Sequence, residues 1–398
     1  MKVLVVHEVD YLEKVIYEIQ EFPELLAHKG YEVMFFQFQE GARRNKGNRF
    51  RRKMIPGRVI PDVSLTLRGP HQFGIPGMDR LWATLSSIPE LISIFRRERP
   101  DVVLNYAVPT YGFQLLLLAN MFRIPFVQRA LDVSHEIRES IHRIPILLVE
   151  KFLYKHAPVL SVNNSAMAEY CKAVSGRKIE PIVNYPPLDL SHFSVASVNS
   201  ELRLKLGILD SDKVITYMGS FFYFSGLPEV IARFAQLTPI YSHVKLLLIG
   251  GGEQEMQLRE LVRTLGLDSK VIFTGFVSYS ELPNYLALST VAINPLEIGR
   301  VASVAFPHKV LQYLAAGLPV VSTRLKGLFS ALDRLNGLSW AESPTEVLDS
   351  AIALTKERVI PFDNFGVRKR LRDLFSPEAA MDSLVLTLQK AIKLRSRN

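Results

Sequence analysis

The 398-residue chain carries 48 Lys and Arg against 39 Asp and Glu, a formal net charge of +9, and 48% of its residues are hydrophobic. That length is about two to three times a typical domain and that apolar content is ample for two cores, which excludes a disordered chain and predicts two domains. A single cysteine, Cys171, rules out an intrachain disulfide and a cysteine-rich metal site and suits a reducing, cytoplasmic setting, while no apolar run reaches the roughly 18 residues of a membrane-spanning helix.

The opening MKVLVVHEVD has charge inside its apolar run and no small-residue cleavage signal, so it reads as a first β-strand over 2–7 and not as a signal peptide. Further strands are predicted at 31–37, 100–105, 125–129, 158–162 and 181–184, with helices between most of them. Pro23 interrupts the first helical pattern (Val15, Ile16, Ile19, Leu25, Leu26), which predicts a kink or two short helices before Gly30 ends it. Residues 43–53 (RRNKGNRFRRK) hold seven basic residues and no acidic one. They read as a solvated loop, or as a surface for an anionic membrane or a phosphorylated acceptor. Nucleic acid is disfavoured because Phe50 alone interrupts the charges, where a stacking platform needs several aromatics. The run FQLLLLA at 113–119 reads as the buried face of a helix, and 141–155 (IHRIPILLVEKFLYK) as core or interdomain packing. Residues 186–200 lack periodicity and read as the junction between domains, with the linker itself at 191–200.

In the second half, strands are predicted at 213–218, 245–249, 270–274 and 290–294. Helices over 255–265 and 281–288 lie between them. The strand at 245–249 runs into Gly250, Gly251 and Gly252, where a backbone without side chains lets a ligand approach closely. The most informative stretch is EIGRVASVAFPHKVLQYLAAGLPVVST at 297–323. Pro307 opens and Gly317 closes a short helix whose buried stripe is Val310, Leu311 and Leu314. His308, Lys309 and Gln312 share another face, so a cation sits at a helix N-terminus, the seat expected for a diphosphate. The alternation of strands and helices predicts an α/β fold of parallel, doubly wound sheets with ligands beyond the carboxyl strand ends. The glycine turns, Asn294, Pro295 and Glu297 all lie at that edge.

Four blocks in the second half resemble the donor domain of retaining glycosyltransferases of family 4: YMGSFFYFSGL at 217–227, LLLIGGGEQE at 246–255, VIFTGFVSYSELPNYLA at 271–287 and FPHKVLQYLAAGLPVVST at 306–323. The first half is similar to the family more weakly, through HKGYEV at 28–33, PDVV at 100–103, IPFV at 124–127 and VNYPPLDLSHF at 183–193. The resemblance implies the GT-B fold, two Rossmann-like domains facing each other across a cleft. Residues 1–190 would be the acceptor-binding domain and 201–370 the nucleotide-sugar domain, with 371–398 ending in a helix over 376–395 that packs back on the first.

It also implies a metal-independent transferase with no cofactor, the nucleotide-diphosphate sugar being a co-substrate. Transfer would go with retention to a glycan or lipid-linked acceptor in cell-envelope polysaccharide or glycolipid synthesis. Lys309 would hold the leaving diphosphate. Gly219, Ser220, Gly251, Phe276, Val277, His308 and Gln312 would line the donor site. Asp132, with His135 as a second candidate, would face the donor sugar, and each is equally readable as a helix cap. His7, Arg43 and Arg44 would meet the acceptor. Ser220 and Ser225 stand where the family commonly has Arg and Lys, Gln312 stands for the second glutamate of its paired motif, and the first falls on Val304, with Glu297 nearby. Those departures motivate a second reading, a catalytically weakened relative that binds nucleotide sugars or serves as a partner subunit. A nicotinamide-dependent dehydrogenase is a third reading, disfavoured because no G-x-G-x-x-G follows the first strand.

Overall fold

In a computed structural model of the chain, the structure describes residues 1–13, 16–38, 52–70, 79–136, 143–194, 197–356 and 364–396. The chain divides into two compact units, Met1–Pro187 with Pro377–Asn398, and Leu188–Ser376. The first unit runs β1 (Lys2–Val6), α1 (Glu18–His28), β2 (Glu32–Phe36), β3 (Arg52–Pro56), β4 (Ser64–Arg68), α2 (Asp79–Arg97), β5 (Val102–Asn105), α3 (Gly112–Met121), β6 (Phe126–Ala130), α4 (Arg143–His156), β7 (Val159–Val162), α5 (Ser165–Ser175) and β8 (Ile182–Val183). Its strand order is β3-β4-β2-β1-β5-β6-β7-β8, with β3–β4 antiparallel and the other neighbours parallel. Strands β5, β6 and β7 are buried throughout, which is why VVLN and VLSV read as nearly unbroken apolar runs, while FVQRA buries Gln128 and Arg129 against Asn105 and Glu18. Right-handed crossovers place α2, α3 and α4 on one face of this sheet and α1 on the other.

Two expectations are corrected here. Arg52 and Lys53, read as part of a basic loop, begin edge strand β3, where Arg52 lies opposite Arg68. Both guanidinium groups reach Glu98, at 3.4 and 2.9 Å, so the carboxylate offsets the like-charge pairing. Charge and a terminal proline are what an edge strand tolerates. Residues 43–51, with Arg43 and Arg44, lie outside the described residues. Pro23 does not divide the first helix: α1 is continuous around it. It starts only at Glu18, and the burial of Ile19, Phe22 and Leu26 holds it across the missing hydrogen bond.

The second unit contains α6 (Ser200–Lys205), β9 (Lys213–Met218), α7 (Leu227–Leu237), β10 (Val244–Ile249), α8 (Glu255–Thr264), β11 (Val271–Gly275), a 3₁₀ turn at Tyr279–Glu281, α9 (Leu282–Leu286), β12 (Val291–Asn294), α10 (Arg300–Val304), α11 (His308–Ala315), β13 (Val320–Thr323), α12 (Lys326–Leu332), β14 (Leu338–Ala341), α13 (Pro344–Lys356) and α14 (Asn364–Phe375). Its six strands are all parallel in the order β11-β10-β9-β12-β13-β14. The winding reverses between β9 and β12, and a doubly wound sheet leaves its ligand crevice at such a switch point. The short strand β14 has no signal in LSWA.

The segment expected as a linker is built into this unit instead. Phe193 is fully buried, the Leu188 amide donates to the Phe375 carbonyl at 2.6 Å, and Arg368 donates to the Leu190 carbonyl at 2.9 Å. Helix α14 runs through the expected boundary at 370 and stays with the second unit. The last helix, α15 (Pro377–Ser396), lies in the first unit, burying Met381, Leu384, Leu388 and Ala391 on the α1 side of the sheet.

Candidate functional site

The carboxyl ends of β9 and β10 are joined backbone to backbone. Gly219 and Gly250 hold φ of 134° and 132°, in the region that favours glycine. The Gly219 amide donates to the Ile249 carbonyl at 2.8 Å, and the Phe221 amide to the Gly251 carbonyl at 2.8 Å. A Cβ at Gly250 would stand 2.1 Å from the Gly219 carbonyl oxygen. Helix α11 is fixed to the same place, because the Tyr313 hydroxyl accepts from the Met218 amide at 2.6 Å.

That attachment positions Lys309 in the first turn of α11. Its Nζ lies 3.9 Å from the centroid of the Tyr217 ring and 3.0 Å from where a Cβ of Gly219 would be. Lys309 is half-buried as a residue, with its ammonium packed against Tyr217 and Gly219, and this desolvation lowers its pKa to about 7. Among the described residues no acidic side chain forms an ion pair with it. A crowded cation over an aromatic face, with the N-terminus of its own helix beside it, is the arrangement an entering anion stabilises.

The other residues expected in the donor site all belong to the same second unit. Ser220 is half-buried and its carbonyl accepts from the Tyr217 hydroxyl at 2.9 Å. Ser225 is buried, and its hydroxyl oxygen accepts from the Leu227 amide at 3.4 Å, so it holds the start of α7. Gly251 lies against the Phe276 ring, 3.1 Å from its added Cβ, and that ring is exposed. Val277 and His308 are half-buried. Gln312 is only 7% exposed, so it is no ordinary surface residue. Val304 is buried on α10 and offers no polar group. Glu297 follows β12, its amide donating to the Phe224 carbonyl at 3.0 Å. Desolvation first, and Glu229 second, hold the Glu297 carboxyl above the usual carboxylate range.

In the first unit, His7 follows β1, its ring 5.4 Å from that of Tyr106 beyond β5. Asp132 follows β6. It is exposed, yet its carboxyl is crowded by protein, and that desolvation, then Glu18, pushes its pKa up to about 6. Glu18 is held by the fully buried Arg129 at 2.5 and 2.9 Å. His135 is tied elsewhere: its Nδ1 lies 2.8 Å from Glu150, which also accepts from the Tyr170 hydroxyl at 2.8 Å. That buried network ties His135 to Glu150 of α4 and Tyr170 of α5. The sequence did not point to Tyr217, Tyr313, Glu229 or the Glu18–Arg129 pair. Buried tyrosines and ion pairs far apart in the chain carry no local pattern.

Two family models match the chain, a glycosyl transferase 4-like domain over residues 18–187 and glycosyl transferases group 1 over residues 212–357. The chain belongs to the GT-B glycosyltransferases. Among curated relatives of this glycosyltransferase, N-acetyl-alpha-D-glucosaminyl L-malate synthase of Bacillus anthracis is 24% identical over 358 residues, 88% of this chain and 86% of that protein. Alpha-monoglucosyldiacylglycerol synthase of Streptococcus pneumoniae is 28% identical over 243 residues, 58% of this chain and 53% of that protein. Among solved structures, sucrose-phosphate synthase from Thermosynechococcus elongatus superimposes with a TM-score of 0.79 at 17% identity, over all of both chains. HepE of Anabaena, solved with UDP and glucose, gives 0.73 at 17% identity over 98% of this chain and 99% of its own. At these identities the structures speak to the glycosyltransferase fold.

Proposed function

We propose that this glycosyltransferase moves a sugar from a nucleotide-diphosphate sugar to a hydroxyl of a glycan or lipid-linked acceptor, with retention of configuration and without a metal ion. The setting is cell-envelope polysaccharide or glycolipid synthesis on the cytoplasmic side. The observation that carries the reading is Lys309, a crowded ammonium without an acidic partner among the described residues, at a helix start beside the Gly219 turn. Transfer passes through an oxocarbenium-like state in which negative charge grows on the departing diphosphate, and a fixed cation there stabilises the transition state more than the ground state. In a retaining reaction on one face of the sugar, the acceptor hydroxyl bonds to the anomeric carbon as the bond to the phosphate oxygen breaks. That oxygen takes the hydroxyl proton, so no protein nucleophile is needed. Asp132, with its carboxyl pushed up to about 6, suits a hydrogen bond to a sugar hydroxyl. Gln312 is assigned to the ribose hydroxyls, to which an amide both donates and accepts. Similar proteins support this donor and acceptor chemistry, since HepE was solved with UDP and glucose and the pneumococcal synthase is named for a glycolipid.

A second reading, a weakened member that binds nucleotide sugars or serves as a partner subunit, is favoured by one observation. Ser220 and Ser225 supply no charge where cations are usual, and the Ser225 hydroxyl is turned to the Leu227 amide of α7. Incubation with a panel of nucleotide sugars and candidate acceptors, followed by proton NMR of the product's anomeric coupling, separates the two. Turnover with the donor's configuration supports transfer with retention; inverted product sinks the retention, and saturable binding without turnover favours the second reading.

A further inference from the structure

We propose that the outer face of α2, α3 and α4 is a membrane-docking surface that takes an anionic lipid bilayer. Helix α3, GFQLLLLANM, contains no charged residue. Its inner side buries Leu115, Leu116 and Ala119, as an outer-layer helix should. Its outward side is apolar as well except for Asn120, with Phe113, Leu117 and Met121 at helical spacing and 44%, 46% and 64% exposed. Surface helices of globular proteins ordinarily turn a polar face outward.

The neighbouring helices extend the same surface. Gln114 of α3 donates to the Thr84 carbonyl and the Ser87 hydroxyl of α2 at 3.3 and 3.1 Å, so the two helices are pinned side by side. Beside that contact α2 exposes Leu81, Trp82 and Leu85. On the other flank the Phe113 ring lies 5.0 Å from that of Phe152 on α4, and α4 exposes Ile144 and Leu148 at 70% and 61%. Clustered exposure of this kind marks an interaction site, whereas scattered leucines need no explanation.

Charge identifies the occupant. The line of Ile144 and Leu148 continues along α4 to Lys151 and Lys155, and α2 ends in Arg96 and Arg97, all exposed. The carboxylates of the three helices do not oppose them. Glu90 is bonded to Arg68 at 2.8 Å, Glu150 is buried in the His135 network, and α3 has none. Asp79, half-buried in the first turn of α2, is the remaining one. Protein interfaces deplete lysine, and a second copy would bring like charges together. A bilayer accepts both parts: aliphatic and aromatic side chains enter the acyl boundary while Lys and Arg stems reach anionic headgroups. Among the described residues no helix is long and apolar enough to cross a membrane, so the docking is in plane.

The proposal stands apart from the transfer reaction and is tested without it. The chain has two tryptophans, Trp82 and Trp340, so Trp340→Phe leaves Trp82 as a reporter inside the surface. With vesicles of phosphatidylcholine and phosphatidylglycerol, Trp82 emission should shift to the blue and be quenched by brominated acyl chains, and with phosphatidylcholine alone it should not. Leu117→Glu with Met121→Glu, and separately Lys151→Glu with Lys155→Glu, should each weaken partitioning by about tenfold or more, with circular dichroism and melting unchanged. The idea is overturned if Trp82 emission ignores the vesicles, or if both variants bind as the parent does. It is equally overturned if binding depends solely on Arg43, Arg44 and Arg51, or if the surface proves to be the contact of a dimer that the Glu variants dissociate.

Discussion

Lys309 ties the reading of the site to quantities that respond to pH. Burial holds its ammonium at about 7 instead of 10.5, so between those values the unfolded chain binds a proton that the native chain does not. Stability contributed at this position therefore rises with pH across that window and is lowest below pH 7. Lys309→Met should be most stabilising relative to the parent at pH 6 and least at pH 9, as measured by urea midpoints. A gain that does not change with pH would place the ammonium in solvent. In catalysis the sign reverses: Lys309→Ala should cost on the order of 3 kcal/mol in kcat/KM, more than a hundredfold, while folding survives. Gln312 supplies a second check. Gln312→Ala should weaken nucleotide binding, whereas Gln312→Glu should preserve or improve it if the side chain meets ribose hydroxyls. Equal donor affinities in that pair would leave Gln312 as packing only.

The glycine turns after β9 and β10 act as one element, because neither can move without the other. Gly250→Ala would put a Cβ 2.1 Å from the Gly219 carbonyl at a φ of 132°, and should cost roughly 2–3 kcal/mol together with most donor affinity. Gly266→Ala, at a φ of 66° with open space around it, should cost about 1 kcal/mol and leave the site intact. Similar losses at both positions would show that backbone strain alone, and not the packed turns, sets the effect. These turns and the α11 helix were legible in the sequence because buried parallel strands are apolar runs and glycine and proline punctuate them. Strands β3 and β4 were not: RKMIP is the edge strand, where charge and proline are tolerated, and SLTLR beside it is fully buried only at alternate positions. The ring beneath Lys309 was hidden because Tyr217 reads as any strand aromatic, and the Arg129 grip on Glu18 spans 111 residues of chain. Asp132 was proposed from its place after β6; the crowding that raises its carboxyl has no sequence signal.

At the scale of the molecule the chain returns to its first unit at the end. Helix α15 buries Met381, Leu384, Leu388 and Ala391, and Ser383 accepts from Asn184 at 2.6 Å. Ending the chain at Ser376 should therefore destabilise the first unit by several kcal/mol, as loss of large core side chains does. Calorimetry should show its transition lowered while that of the second unit, with Lys309, stays; a pair of unchanged transitions would contradict the packing. The central claim is that Lys309 receives the diphosphate of a nucleotide sugar. Calorimetric titration of nucleoside diphosphates at pH 8, in two buffers of different ionisation enthalpy, tests it most directly. Binding should take up close to one proton per site as the ammonium regains its charge, and Lys309→Ala should lose both the uptake and most of the affinity. Tight binding with no buffer dependence, unchanged in the mutant, would contradict the account.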